Sequence, residues 1–248
     1  MVSTILITGG SRGIGRATAI LAGKRGWSVG VNYAGNAKAA ADTVAAVKAA
    51  GGKAIAIQGD VAQETDVVRM FDAVEQAFGK IDGLVNNAGI VGPAGDLADM
   101  PMERFRRLFD INILGSTLCA REAIRRMSTR RGGKGGSIVN LSSVAARLGS
   151  PSMFVDYAAS KGFIDTLTMG LSKECGPDGI RVNAVRPGII DTDIHIAANE
   201  PGRAARLGAT APLARPGTAE EVAEGIVWLL SDAASYVTGA LLDIAGGR

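Results

Sequence analysis

Tyr157 and Lys161 stand four residues apart in a stretch whose spacing predicts a helix over 157–174, so both fall on one helix face. A free phenol ionises near pH 10 and is a poor proton carrier at neutrality. An ammonium group beside it favours the phenolate and lowers that value. Such a pair can take a proton from an alcohol or give one to a carbonyl oxygen. Ser143 offers a hydroxyl that could polarise the same oxygen. Each residue also has a plainer reading: Tyr157 and Lys161 as surface groups, Ser143 as a helix cap before Val144-Ala145-Ala146, Asn112 as a mid-helix packing residue.

A second constellation is the turn Thr8-Gly9-Gly10-Ser11-Arg12-Gly13-Ile14-Gly15, between an apolar run and an amphipathic one. Glycines there let backbone N–H groups approach an anion at a helix N-terminus, where a dinucleotide pyrophosphate would sit. The G-x-G-x-x-G spacing is not met, because Thr18 occupies the third slot, and no Walker lysine follows. Gly9-Gly10-Ser11-Arg12-Gly13 also fits the G-x-S-x-G elbow of serine hydrolases. That reading lacks an earlier strand to supply an oxyanion hole, and Ser11 has a simpler use as a phosphate donor.

NAD-specific sites place an acid near the end of the second strand to hold the ribose diol. Here the stretch reads Val31-Asn32-Tyr33-Ala34-Gly35-Asn36, with no carboxylate, while the turn carries Arg12. A guanidinium is a bidentate partner for a 2′-phosphate, so the expectation is NADP rather than NAD.

These groups need a scaffold. Short apolar runs at 2–8, 28–32, 54–58, 81–86, 137–141, 180–185 and 240–244 read as strands. Between them, 13–25, 37–50, 64–78, 102–126, 157–174 and 219–230 read as helices, with a proline-interrupted helical region before the last. The alternation implies an α/β fold, a doubly wound seven-stranded parallel sheet with helices on both faces. No repeat or linker divides the chain, so one domain over 1–248 is expected.

Composition excludes other classes. At 47% hydrophobic and 21% charged, the chain is not a disordered tail. No apolar run is long enough to span a bilayer, no secretory leader is visible, and the cytoplasm is the expected location. Two cysteines, Cys119 and Cys175, and one histidine, His195, leave no metal motif. Cys119 reads as a buried inert thiol and His195 as a surface group. The basic cluster Arg121, Arg125, Arg126, Arg130, Arg131, Lys134 lacks aromatic neighbours for base stacking and reads as a solvated helix face, so no nucleic-acid partner is expected.

Over nearly its whole length the sequence resembles the short-chain dehydrogenase/reductase family, a Rossmann-fold family. Thr8-Gly9-x-x-x-Gly13-x-Gly15 is similar to that family's coenzyme turn, and Asp60-Val61 to its adenine-contacting pair. Asn86-Asn87-Ala88-Gly89 is similar to its N-N-A-G segment. Asn112, Ser143, Tyr157 and Lys161 fall where its catalytic tetrad falls, and the stretch 186–192 resembles the loop that closes on the nicotinamide. The resemblance implies cofactor contacts from Gly9, Ser11, Arg12, Gly13, Ile14, Gly15, Asn32, Asp60, Val61, Asn87, Ala88, Gly89, Tyr157, Lys161, Pro187, Gly188, Ile190 and Thr192. It further implies a proton-relay water at Asn112, a substrate lid over 191–215 containing His195, and a homotetramer. The implied activity is hydride transfer between NADP(H) and a carbonyl or secondary alcohol. A small polar carbonyl or a sugar suits a lid without aromatic residues, as in glucose 1-dehydrogenase-like members. Reduction of a 3-oxoacyl group on a carrier protein is the alternative; a dinucleotide sensor without turnover and the Ser11 hydrolase remain as non-oxidoreductase readings.

Overall fold

Strand β1 (Thr4–Ile7) shows why the sheet must be central: no residue in it is more than 4% exposed. A strand covered on both faces reads as a continuous apolar run, the mark of a parallel sheet with helices on either side. In the computed structural model, which describes residues 3–192 and 202–248, seven parallel strands form one sheet. They are β1, β2 (Ser28–Tyr33), β3 (Lys53–Gln58), β4 (Gly83–Asn86), β5 (Gly136–Leu141), β6 (Ile180–Pro187) and β7 (Leu241–Ile244). Their order is β3-β2-β1-β4-β5-β6-β7, so the chain reverses direction across the sheet between β1 and β4. Clefts beyond the carboxyl ends of strands at such a switch point are where open α/β sheets bind ligands.

Pleating sends alternate residues of one strand to opposite faces. Ile5 and Ile7 enter a core with Val222, Ile226 and Leu229 of one helix, while Leu6 enters the other core with Val67, Met70 and Phe71. The helices between strands are α1 (Gly13–Lys24), α2 (Ala37–Ala49) and α3 (Glu64–Phe78). Then come α4 (Met102–Phe109), α5 (Ser116–Met127), α6 (Ala145–Leu148), α7 (Val155–Cys175), α8 (Arg203–Gly208) and α9 (Ala219–Leu230). Helix α9 starts on a capping box, Thr218 with Glu221, which satisfies the N-terminal N–H groups reciprocally.

The sequence expectation of one helix over 102–126 needs correction. A π-helical turn, Asp110–Gly115, separates α4 from α5. Its cause lies in packing: a Cβ on Gly115 would come within 2.6 Å of Val61 Cγ2, so this turn lies hard against the segment after β3. Helix α6 was not anticipated as an element. Of the expected lid, residues 193–201 and with them His195 lie outside the described residues, as does Val2 of the first expected strand.

Candidate active site

The glycine turn joins β1 to α1. Gly9 adopts φ +61° and Gly13 φ +52°, conformations that side chains with a Cβ rarely take. Gly15 is needed for closeness, since a Cβ there would lie 2.6 Å from Asn87 Nδ2. The turn is tied across the switch point to the end of β4. Asn87 Nδ2 donates to the carbonyls of Thr8 (2.8 Å) and Gly9 (3.0 Å), and Thr8 Oγ1 accepts from the N–H groups of Asn87 and Ala88 (both 3.0 Å). The asparagine after β4 therefore sets the turn's shape.

Whether this turn suits a dinucleotide can be judged from its donors. Helix α1 begins with no side-chain cap and no acidic residue in its first turn. Its N-terminal N–H groups and the positive end of its dipole thus face the crevice without a competing carboxylate. Exposed Arg12 precedes it, and Ser11 is partly exposed. Thr192 lies across from the turn, its Cγ2 3.6 Å from where a Cβ of Gly13 would be. These features fit a diphosphate bridging the two halves of the sheet.

Other expected cofactor residues divide by position. Asn32 is only 2% exposed. Its Oδ1 accepts from Gly9 N–H (3.0 Å) and its Nδ2 donates to Gly59 O (3.0 Å), so its side chain braces the turn from beneath. Asp60 is exposed, accepting from Ala62 N–H, whereas Val61 is buried under the π turn. Asn87, Gly89, Ile14, Pro187, Gly188, Ile190 and Thr192 line one cavity together with Ser143, Tyr157 and Lys161.

Within that cavity, Lys161 is 5% exposed and donates from Nζ to Leu141 O at 2.6 Å. Nζ lies 5.5 Å from the centroid of the Tyr157 ring. Burial pushes Lys161 down from 10.5 to about 8, against the opposing pull of Asp165 one turn on. Asp165 is held by Arg186, whose Nη2 and Nε donate to it at 2.7 and 3.0 Å. Tyr157 is partly exposed at the cavity wall, yet its surroundings desolvate the hydroxyl and hold its pKa above 10. A hydrogen bond with Ser143 and the positive charge of Arg203 pull the other way. The Lys161 ammonium, beside the Tyr157 ring, donates to Leu141 O, and the charge of Arg203 also favours the phenolate.

Ser143 lies between α6 and Tyr157. Its Oγ accepts from Ala145 N–H at 3.1 Å, at the start of α6, while its hydroxyl bonds Tyr157. Asn112 sits in the π turn, 1% exposed. Its Oδ1 accepts from Ile90 N–H (2.9 Å), and its Nδ2 donates to Ile90 O (3.0 Å) and Ser160 Oγ (3.2 Å). The side chain pins the segment after Gly89, which would place a Cβ 3.7 Å from Lys161 Nζ. All four tetrad candidates are therefore in one neighbourhood. A buried ion pair backs the start of α7: Arg104 Nε and Nη2 donate to Asp156 at 2.7 and 2.9 Å, adjacent in sequence to Tyr157.

The basic cluster is paired rather than merely solvated. Arg126 bonds Asp72, Glu75 and Glu122, Arg121 pairs with Glu64, and Arg130 pairs with Asp178. Both cysteines are buried thiols. Among the described residues no group of side chains could hold a metal ion, and no helix is long and apolar enough to cross a membrane.

Sheet order, glycine turn and clustered phenol, amine and hydroxyl define a doubly wound α/β oxidoreductase of the nicotinamide-dependent kind. A family model described as enoyl-(acyl carrier protein) reductase matches residues 9–248. The chain is 54% identical over 98% of both chains to the uncharacterized oxidoreductase YgfF of Escherichia coli K12. It is 36% identical to glucose 1-dehydrogenase 2 of Bacillus subtilis, over 98% of this chain and 93% of that one. A solved short-chain type dehydrogenase/reductase from Mycobacterium marinum superposes with a TM-score of 0.91 at 35% identity, over 99% of this chain and 94% of that one. The chain belongs to the short-chain dehydrogenase/reductase family.

Proposed function

We propose that this chain interconverts a carbonyl and a secondary alcohol on a small polar substrate with NADP(H). The observation that carries the reading is the gathering of Tyr157, Ser143 and Lys161 in one cavity that reaches the glycine turn, with Lys161 Nζ 5.5 Å from the Tyr157 ring centroid. A nicotinamide dinucleotide bound at that turn supplies the hydride donor or acceptor.

The chain's own groups do the rest. Gly9, Ser11, Gly13, Ile14 and Gly15 present donors to the pyrophosphate, and Arg12, with no acid at the end of β2, meets a 2′-phosphate. Asp60 and Val61 border the adenine, Ala88 and Gly89 the adjoining ribose, and Pro187, Gly188, Ile190 and Thr192 the nicotinamide end. Tyr157 hands a proton to the carbonyl oxygen or takes one from the alcohol, and Ser143 donates a hydrogen bond to that oxygen. Lys161 holds the nicotinamide ribose and keeps positive charge beside the phenol. Because the Asn112 side chain is engaged with Ile90, a proton-relay water would have to use the main chain of the π turn.

Assembly as a homotetramer fits the exposed apolar residues Phe109, Leu114 and Met169 on or beside the two long helices, and Trp228 and Tyr236 near the edge strand β7. The 3-oxoacyl-carrier reading needs a basic docking surface, and the candidate arginines already face carboxylates. A screen of NADPH oxidation across aldehydes, ketones, sugars and 3-oxoacyl thioesters tests the reading. Tyr157→Phe is expected to lower kcat by about 10²–10⁴; turnover near wild type would refute it.

A further inference from the structure

The wall of the cavity away from the glycine turn is built by Val144, Leu148, Ser150, Phe154, Arg203 and Arg248. Two of these carry permanent positive charge, Lys161 adds a third cation, and no aspartate or glutamate lines the cavity among the described residues. We propose that the substrate carries an oxyanion group, carboxylate or phosphate, in addition to its reacting carbonyl or alcohol, and that Arg203 and Arg248 hold it. This rests on the oxidoreductase reading of the same site and names the substrate class for it.

Three observations converge. First, Arg203 lies over the Phe154 ring with its guanidinium carbon 4.9 Å from the centroid. Stacking fixes the plane of a guanidinium and leaves its edges for hydrogen bonds. With five N–H donors, one edge can contact the protein while another takes an oxyanion. Second, Arg248 Nη1 is buried with no hydrogen-bond partner, at the wall of a cavity. A buried, charged donor left unsatisfied is costly, and an incoming oxyanion would satisfy it. Arg248 is set in place through its main-chain oxygen, which accepts from Arg147 Nη2 at 3.1 Å; Arg147 in turn contacts Asp243 at 3.0 Å. Third, Ser150 at the same wall holds φ +45°, a conformation that non-glycine residues adopt at a steric cost. Its strained turn is closed by Phe154 N–H donating to Ser150 O at 3.1 Å, which seats the ring under Arg203.

Placement relative to the chemistry follows from charge. Arg203 and Tyr157 line the same cavity, so one substrate could meet both, with an anionic head at Arg203 and its reacting group at the phenol. The cavity's apolar lining, Val91, Val144 and Leu148, suits the short carbon chain between the two.

The test compares probes that differ only in charge: 4-oxobutanoate and 4-oxopentanoate against their methyl esters, and dihydroxyacetone phosphate against dihydroxyacetone. NADPH oxidation is followed with wild type, Arg203→Gln, and Arg206→Gln as a control of equal charge loss on the same helix. The expected result is a kcat/KM at least about tenfold higher for the anionic member of a pair. That ratio should collapse towards one in Arg203→Gln and persist in Arg206→Gln. The carboxylate and phosphate arms show which head the site takes. A wild type that favours the neutral members, or a ratio equally reduced in both variants, overturns the proposal. Calorimetric titration of the NADP+-loaded protein with pentanoate and with pentanamide decides the matter if no probe is reduced. Preferential binding of pentanoate, lost in Arg203→Gln, supports the proposal; equal or absent binding of the two overturns it. The oxidoreductase reading fails separately, if no carbonyl of any charge oxidises NADPH or if Tyr157→Phe turns over like wild type.

Discussion

Lys161 is a buried cation whose charge burial disfavours, and Lys161→Met should expose that cost. Its fall from 10.5 to about 8 means that the folded chain binds its proton less tightly than the unfolded chain does. Below pH 8 both states hold the proton, and folding bears a charge-burial cost of about 3 kcal/mol. Between pH 8 and 10.5 the unfolded state binds more protons, so stability rises with pH; below 8 this contribution is flat. The methionine variant has no such proton. The stability difference, variant minus wild type, should therefore shrink by about 2 kcal/mol between pH 7 and 9.5. Urea unfolding at half-unit pH steps measures it, as a midpoint difference that closes by roughly 1 M. Groups remote from Lys161 titrate alike in both proteins and cancel. Asp165, whose charge favours the protonated form of Lys161, is paired with Arg186 in both proteins. A difference that stays constant with pH would show that Lys161 is not destabilised by burial and would refute the reasoning. The variant should also lose turnover, so that stability and activity change in opposite directions at neutral pH.

Arg12→Ala should raise KM for NADPH by about 10–100-fold, the loss of a charge-assisted phosphate contact, and leave KM for NADH nearly unchanged; equal effects on both cofactors would remove Arg12 from the 2′-phosphate. Asp156→Leu leaves Arg104 buried without its carboxylate and should cost about 3–5 kcal/mol in chemical denaturation, whereas a loss under 1 kcal/mol would mean the pair is solvated. Light scattering at micromolar concentration should give four times the chain mass, and Leu114→Asp together with Met169→Asp should lower it; a wild-type monomer contradicts the assembly.

The strands were legible because burial on both faces favours mainly apolar runs, of which Ile5-Leu6-Ile7 is the clearest; in β5 the buried Ser137 and Asn140 interrupt the pattern and find partners in Leu229 O and Thr168. The glycine turn was legible for a similar reason: few residue types tolerate the φ values at Gly9 and Gly13. What escaped the sequence was set by tertiary packing. The π turn at Asp110–Gly115 has no proline to announce it, and it exists because Gly115 meets Val61 and Asn112 reaches Ile90. Asn32 looked like a cofactor contact from its place at a strand end, yet its side chain points into the sheet and serves Gly9 and Gly59. Arg203 was one polar residue among several in the expected lid, and only its position over Phe154 gives it a part in the site.

The electrostatics of Tyr157 bear on the direction of the proposed reaction. Burial keeps the Tyr157 phenol in its protonated form at neutral pH, the form that carbonyl reduction needs, although it makes the phenol a weaker acid. Alcohol oxidation needs the reverse, a phenolate ready to accept. The groups able to favour phenolate are Ser143 and Arg203, with Lys161 close by but turned to Leu141 O. If an oxyanion of the substrate engages Arg203, it neutralises one of those influences and pushes the phenol further towards its protonated form. Anionic carbonyl substrates would then meet a phenol that stays protonated but gives up its proton less readily, while anionic alcohols would meet less phenolate at a given pH. The pH at which oxidation reaches half its plateau should accordingly lie higher for an anionic alcohol than for its ester, and Arg203→Gln should bring the two values together. Coincident profiles in the wild type would separate the arginine from the tyrosine and leave it a binding role alone.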